Sequence, residues 1–330
     1  MEPSRFAKTP PPVYSKEKFR RECGTVQKKG RRMESSINIC FLSDDAFIQH
    51  MTAAAASAAD HASRPLVIWL VHPGLSTDSL ARIARFEHMY PGLSLHLVQC
   101  DLAQFRDYPQ FEKWPALIYA KLMLPDLLPA DRVIVLDCDV IVMDDPAKIY
   151  DLPFPPGVRL AACSDLITQR RLVERGLSAE HYFNAGVMVF DLKALREEHF
   201  FPRVLDVPPE VLQTVQCPEQ DLMNLYFRGS YLQLDSRWNL FAGLTRRRIR
   251  TRFPEKKEAL FAAMQSPGIV HFTTRKPWKC ALPGSPYDRY YRFYLKRTPF
   301  ADYRFPRVTW RDILIRLLPS RLAKKLEKKR

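Results

Sequence analysis

No stretch of this chain is both long enough and apolar enough to cross a bilayer, because charged side chains interrupt every hydrophobic run. Glycine is scarce, 11 residues in 330, and none falls in the Leu42–Phe47 segment that follows the first strand-like run. That argues against a glycine-rich phosphate loop at this position. The seven cysteines (Cys23, Cys40, Cys100, Cys138, Cys163, Cys217 and Cys280) form no C-x-x-C pair and are odd in number. They read as reduced thiols of a cytoplasmic protein, not as a disulfide frame or a zinc knuckle. The N-terminus lacks the uninterrupted apolar core of a secretory leader, so none is expected. No internal repeat is visible.

The net charge of +15 is unevenly distributed. Residues 1–33 hold ten Lys and Arg against three Glu, and residues 316–330 hold seven against one, so only +2 remains between the two ends. A nearly neutral middle does not offer the broad positive face of a duplex reader, and no nucleic-acid partner is expected. Residues 1–35, with Pro10-Pro11-Pro12 and little periodicity, read as a disordered basic tail in which Met33 offers an alternative start. Residues 286–330 interleave aromatics (Tyr287, Tyr290, Tyr291, Phe293, Tyr294, Phe300, Tyr303, Phe305) and an aliphatic stripe (Trp310, Ile313, Leu314, Leu317, Leu318, Leu322, Leu326) with Lys and Arg, and Pro319 breaks or kinks the helical pattern. Such a segment suits the surface of an anionic membrane and predicts peripheral association with its inner face. The competing reading is a terminal helix packed on the domain with a solvated basic face, or one that binds a partner.

Between the ends, strand-like and helical runs alternate. Ile37–Leu42 precedes a helical run from Phe47 to Asp60, Leu66–Val71 precedes Asp78–Tyr90, and Ser94–Val98 follows; Trp114–Leu124 reads as a helix ending before Pro125. With 46% apolar residues, this order predicts one α/β domain over residues 36–285, with a mixed, mostly parallel sheet covered on both faces. Ligands of such sheets bind beyond the carboxyl ends of the strands. Two acidic clusters fall there, Asp44-Asp45 and Asp137-Cys138-Asp139. Asp137 and Asp139 lie between the runs Val133–Leu136 and Val140–Met143. In an extended backbone they converge on one side while Cys138 turns to the other, an outline of a cation site. An acidic turn between two strands is the plainer reading of the same triplet.

Six motifs stand in an order that resembles the retaining sugar-nucleotide glycosyltransferases of family 8, whose bacterial members include lipopolysaccharide galactosyl- and glucosyltransferases. They are Leu42-Ser-Asp-Asp-Ala-Phe47, Tyr119-Ala-Lys-Leu122, Val135-Leu-Asp-Cys-Asp-Val140, Tyr182-Phe-Asn-Ala-Gly-Val187, Glu219-Gln-Asp-Leu-Met-Asn224, and His271 with Lys276-Pro-Trp278. The resemblance implies a GT-A, Rossmann-like domain. It implies a divalent ion, manganese with magnesium as the alternative, on Asp137, Asp139 and His271. Two carboxylates and one imidazole suit that ion.

The resemblance further places Asp44, Asp45, Phe47, Lys121, Asp137, Cys138 and Lys276 around the nucleotide diphosphate of a UDP-sugar. Asp44 meets the base, Phe47 stacks on it, and the lysines offset leaving-group charge. Ala46 and Phe47 depart from the family's usual Asn and Tyr. Asp165, Asn184, Glu219, Gln220 and Asp221 match the donor-sugar pocket, with Gln220, Asp165 and Glu219 as catalytic candidates; the family more often has Asp where Glu219 stands. The implied reaction moves a hexose, galactose or glucose, to an oligosaccharide or glycolipid such as lipopolysaccharide. By the residues alone, Asp44-Asp45 also reads as a helix cap and Phe183–Gly186 as a turn whose glycine serves backbone geometry. A metal-dependent nucleotidyltransferase acting on a sugar phosphate, and a non-catalytic membrane or nucleic-acid binder, are the competing classes.

Overall fold

Strict alternation along the strands decides how the large sheet is covered. In β1 (Ile37–Leu42), Ile37, Ile39 and Phe41 enter one hydrophobic cluster while Cys40 enters the other. The computed structural model describes residues 36–108, 115–166, 181–273, 275–310 and 313. After β1 come α1 (Ile48–His61), β2 (Leu66–His72), α2 (Thr77–Met89), β3 (Leu93–Gln99), β4 (Arg132–Leu136), β5 (Val140–Val142), β6 (Leu160–Ser164) and β7 (Phe183–Asp191). The chain continues through α3 (Pro218–Phe227), β8 (Leu232–Gln233), β9 (Leu240–Phe241), α4 (Arg246–Arg252), α5 (Lys257–Gln265), β10 (Ile269–His271) and α6 (Asp288–Leu295).

Among the described residues there are two sheets. The seven-stranded sheet runs β3-β2-β1-β4-β7-β6-β8, with the first four strands parallel and β7 antiparallel to both β4 and β6. The three-stranded sheet runs β5-β10-β9. The architecture is the expected mixed, mostly parallel α/β fold. The expected strand starts and helix ends hold to within a few residues.

Helix α1 is buried on all sides. Ala53, Ala54, Ala55, Ala56 and Ala58 have no exposure, and Ser57 Oγ accepts a hydrogen bond of 2.9 Å from Val142 N of β5. Small side chains let this helix lie between the two sheets, which explains an alanine run that is apolar on every face.

Three local expectations are corrected. Asp137–Asp139 is a turn, not continuous strand, and it carries the chain from the large sheet to the small one. Pro125 does not end a helix: Ala116–Met123 is a 3₁₀ helix, and a short α-turn, Leu124–Leu127, carries Pro125 in its first turn, where no backbone N–H is needed. Phe183–Gly186 is strand, not a turn before it. The aromatic run after residue 285 also divides. Tyr287, Tyr291, Tyr294 and Phe300 are buried in the core, so those rings are not available to a membrane surface, whereas Phe293 and Trp310 are exposed. Apart from Ile313, residues 311–330 lie outside the described residues, as does the tail 1–35.

Candidate active site

The turn Asp137–Asp139 is clamped by backbone bonds from both sheets. Asp137 N donates to Gly186 O of β7 at 2.9 Å, and Phe272 N donates to Asp139 O at 2.9 Å. Antiparallel pairing sets His271 opposite Val140, immediately after the turn. Register therefore delivers a histidine from 132 residues downstream to the two acids. Its Nε2 lies 3.2 Å from Asp139 Oδ1 and 3.6 Å from Asp137 Oδ2. One ligand atom from each of the three residues lies within 4.8 Å of the others.

Gly186 makes room for this imidazole. A Cβ at that position would lie 2.2 Å from His271 Cε1, whereas the backbone is not left-handed there. The glycine thus serves space, not the backbone geometry expected from a turn.

A chain of hydrogen bonds fixes which way each amide points. Gly186 N must donate, and it donates to Asn184 Oδ1 at 3.0 Å; Ala185 N donates to Gln220 Oε1 at 2.9 Å. With Asn184 Oδ1 an acceptor, Asn239 Nδ2 donates to it at 2.8 Å, so Asn239 Oδ1 faces His271 Nδ1 at 2.9 Å. Nδ1 then carries the proton. Nε2 presents a lone pair toward two carboxylates, and a proton on Nε2 or a divalent ion must occupy the point where they meet. The donor set fits the ion that the D-x-D reading implied.

Cationic side chains surround the acids. Lys121 is buried and donates to Asp137 Oδ1 (2.6 Å), Ala185 O (3.0 Å) and Glu219 Oε1 (3.5 Å). Burial pulls its pKa down, but Asp137 and Glu219 outweigh that and hold it above the ordinary lysine value. It is an internal counter-ion. Lys276 donates to Asp139 Oδ2 and, at 3.3 Å, to Thr273 O. Burial raises the Asp139 pKa, and His271 with Lys276 more than reverses this, leaving the carboxyl well below the usual range. Burial pushes Glu219 up in spite of Lys121. Cys138 turns inward and donates to Leu42 O at 3.1 Å; burial, then the flanking acids, hold its thiol protonated.

The sugar-pocket candidates gather beside this cluster. Gln220 Nε2 donates to Asp165 Oδ2 and Tyr182 Oη, each at 3.0 Å, and its Oε1 accepts from Asn184 Nδ2 (3.1 Å) as well as Ala185 N. Every hydrogen-bonding position of that amide is filled. Asn184 Nδ2 also donates to Asp165 Oδ2 at 3.0 Å. Asp221 departs from the expectation. It accepts the Tyr182 hydroxyl and the backbone N–H groups of Gln216 (2.7 Å) and Cys217 (3.1 Å), which makes it a support at the start of α3.

Asp44 Oδ1 accepts from Ala46 N (3.0 Å) and Phe47 N (3.1 Å), which closes the turn ahead of α1; no side chain caps that helix, so the capping reading is not realised, and Phe47 remains exposed. Asp45 is committed to Ser76 N and Oγ at the start of α2, and the hydroxyls of Ser79 and Ser76 with that N–H lower its pKa.

Two members went unassigned in the sequence reading: Tyr182, present in a motif but given no role, and Asn239. The signal for Asn239 was a lone amide between Trp238 and Leu240-Phe241, a polar group in a run that had to be buried.

The fold is of GT-A glycosyltransferase type. Residues 38–281 match glycosyl transferase family 8, and the chain belongs to that family. It is similar to general stress protein A of Bacillus subtilis (strain 168), 22% identical over 276 residues that cover 79% of this chain and 94% of the relative. It is also similar to lipopolysaccharide 1,2-glucosyltransferase of Escherichia coli (strain K12), 26% identical over 219 residues that cover 64% of this chain and 63% of the relative. In fold it matches the galactosyltransferase LgtC solved with donor and acceptor sugar analogs (TM-score 0.67, 20% identity, 79% of this chain and 96% of LgtC). It also matches the bifunctional glycosyltransferase WbbM (TM-score 0.69, 21% identity, 82% of this chain and 51% of WbbM). No described helix is long and apolar enough to cross a membrane.

Proposed function

We propose that this protein transfers a hexose, galactose or glucose, from a UDP-sugar to a saccharide hydroxyl with retention at the anomeric carbon, using manganese, or alternatively magnesium, on Asp137, Asp139 and His271. The observation that carries this reading is the convergence of those three ligands beside Lys276 and the Asp165–Asn184–Gln220 network. The ion supplies charge neutralisation at the diphosphate. Lys276 adds a cation at the same place, and Asp44 with the exposed Phe47 ring offers a surface for the base.

The C1–O bond to the β-phosphate breaks as a bond from the acceptor oxygen forms on the same face. The acceptor proton passes to the departing phosphate oxygen, giving UDP. A fully bonded Gln220 amide is a poor nucleophile, so the network's part is electrostatic: its fixed dipoles and the Asp165 carboxylate support positive charge developing at C1. The E. coli relative named for lipopolysaccharide supports a lipid-linked oligosaccharide acceptor. With exposed Trp310 leading into the basic residues 311–330, it also supports action on the inner face of the cytoplasmic membrane.

A donor screen over UDP-sugars with manganese, read as released UDP, tests the reading. Release that stops with a chelator and is absent in Asp139→Ala is expected. Turnover that survives both would exclude it. Deleting residues 311–330 is expected to weaken binding to anionic vesicles while UDP release persists, and unchanged vesicle binding would remove the membrane part.

A further inference from the structure

Some arginines of this surface are paired with carboxylates, Arg64 with Asp151 (2.9 Å), Arg82 with Asp302 (2.8 Å), Arg159 with Glu198 (2.7 Å) and Arg237 with Asp144 (2.8 Å), and others, such as Arg203 and Arg289, have no described carboxylate partner. Helix α4 differs in density. Five of its seven residues are arginine (Arg246, Arg247, Arg248, Arg250, Arg252), and no described carboxylate pairs with any of them. Like charges one turn apart repel, so the helix keeps an arrangement that its own stability does not require.

The helix has two basic sides. Arg246 and Arg250 each lie 5.6 Å from the centre of the Phe261 ring on α5. Arg248, with Arg252 one turn on, faces elsewhere. Arg248 lines a hollow together with Leu166, Phe241, Leu244 and Thr273. Leu166 follows Asp165 of the sugar network, Thr273 comes two residues after His271, and the Phe241 ring meets His271 edge-on at 5.9 Å. The hollow itself is too small to hold an anion, but through Phe241 it sets Arg248 one side chain away from His271.

We infer that Arg248, assisted by Arg252, receives an anionic group, phosphate or carboxylate, carried by the acceptor saccharide while one of the acceptor's hydroxyls reaches the donor sugar. This rests on the transferase reading above. A guanidinium fork matches either anion with two parallel hydrogen bonds. The donor's own diphosphate is served by Lys276 and the Asp137–Asp139–His271 cluster, which leaves these arginines for a second anion. A bilayer is the poorer occupant: membrane-surface helices pair basic residues with exposed apolar ones, and the single aliphatic residue of α4, Ile249, is fully buried.

The full chain, saturated with UDP and manganese, is titrated with lactose, lactose monophosphate and the matching uronate. Both charged sugars are expected to bind roughly tenfold or more tightly than lactose, with the advantage lost in the double variant Arg248→Gln, Arg252→Gln and weakened by salt. Circular dichroism and UDP binding check that the variant is folded. Equal binding of the three sugars, no binding by the charged ones, or an advantage that survives the double variant overturns the inference. Acceptor-free UDP release by the unaltered protein is read in parallel. Its absence removes the transferase reading itself, whereas release without charge preference removes only the acceptor inference. Vesicles containing phosphatidylglycerol form the last arm. If the double variant loses vesicle binding yet keeps the sugar preference, the arginines serve a membrane and the inference fails.

Discussion

In the half of the pocket built by Asp137, Asp139 and His271, full charges and lone pairs face one another and are balanced by Lys121 and Lys276. In the half built by Asp165, Asn184, Gln220 and Tyr182, one carboxylate is surrounded by neutral amides and a hydroxyl whose bonds saturate each other. The first half sets three ligand atoms within 4.8 Å of one another, where the proposed cation would sit. The second is arranged to hold its own shape, with its dipoles fixed in direction. Charge offset and hydrogen-bond direction are thus kept in adjacent groups, joined through Asn239 and Asn184 and through Lys121, which bonds both Asp137 and Ala185 O.

Breaking the charged half should have the largest effect. Asp139→Ala leaves Lys276 and His271 without their shared partner, and we expect UDP release to fall about a thousandfold or more with manganese binding lost to calorimetry. Gln220→Ala should leave manganese affinity near its starting value while transfer collapses. Equal loss of metal binding in both variants would show that the halves are not separate.

The joint between them should give an intermediate effect. Asn239→Ala frees His271 Nδ1 from the bond that sets its tautomer, and manganese affinity should drop roughly 10- to 100-fold. An unchanged affinity would mean that the imidazole is oriented by packing against Gly186 alone. A smaller change is expected from Tyr182→Phe, which removes one bond to Gln220 and one to Asp221. Transition-state stabilisation should fall by about 1–3 kcal/mol, seen in kcat more than in metal affinity.

The smallest effect lies behind Lys276. His50 stacks on Trp278 at 3.6 Å and bonds the Tyr291 hydroxyl at 2.6 Å, and burial pushes its pKa down to about 3. The fold therefore holds it neutral, while the unfolded chain protonates near 6.5. Its contribution to stability is complete above that value and is lost as pH falls from there toward the folded pKa, by about 1.4 kcal/mol per pH unit. Urea unfolding between about pH 7 and pH 5 should show this slope, and His50→Gln should flatten it by that amount. A slope unaltered in the variant would assign the loss to carboxylates.

Much of this was legible in advance wherever the information is local. The apolar, strand-like runs Ile37–Leu42 and Leu66–Val71, with helical runs between them, gave the parallel half of the sheet. Apolar flanks marked Asp137 and Asp139 as acids at a sheet rim. The order of six motifs pointed to the family. Composition misled where it was averaged: a middle region with a net charge of +2 concealed the unpaired arginines of α4, and the aromatic run after residue 285 mixed core rings with exposed ones. Asn239 escaped because nothing local tells a buried amide what it faces.

The sequence by itself determined the strands and the chemical kinds available at their ends, because side-chain type acts over a few residues. Only the tertiary structure decided that His271 meets Asp139, that Gly186 yields its volume to an imidazole, that Lys121 is an internal counter-ion, and that Asp221 turns from the sugar pocket to brace α3. Those outcomes depend on the register between β5 and β10 and between β4 and β7, and register couples residues more than a hundred positions apart in one case and about fifty in the other.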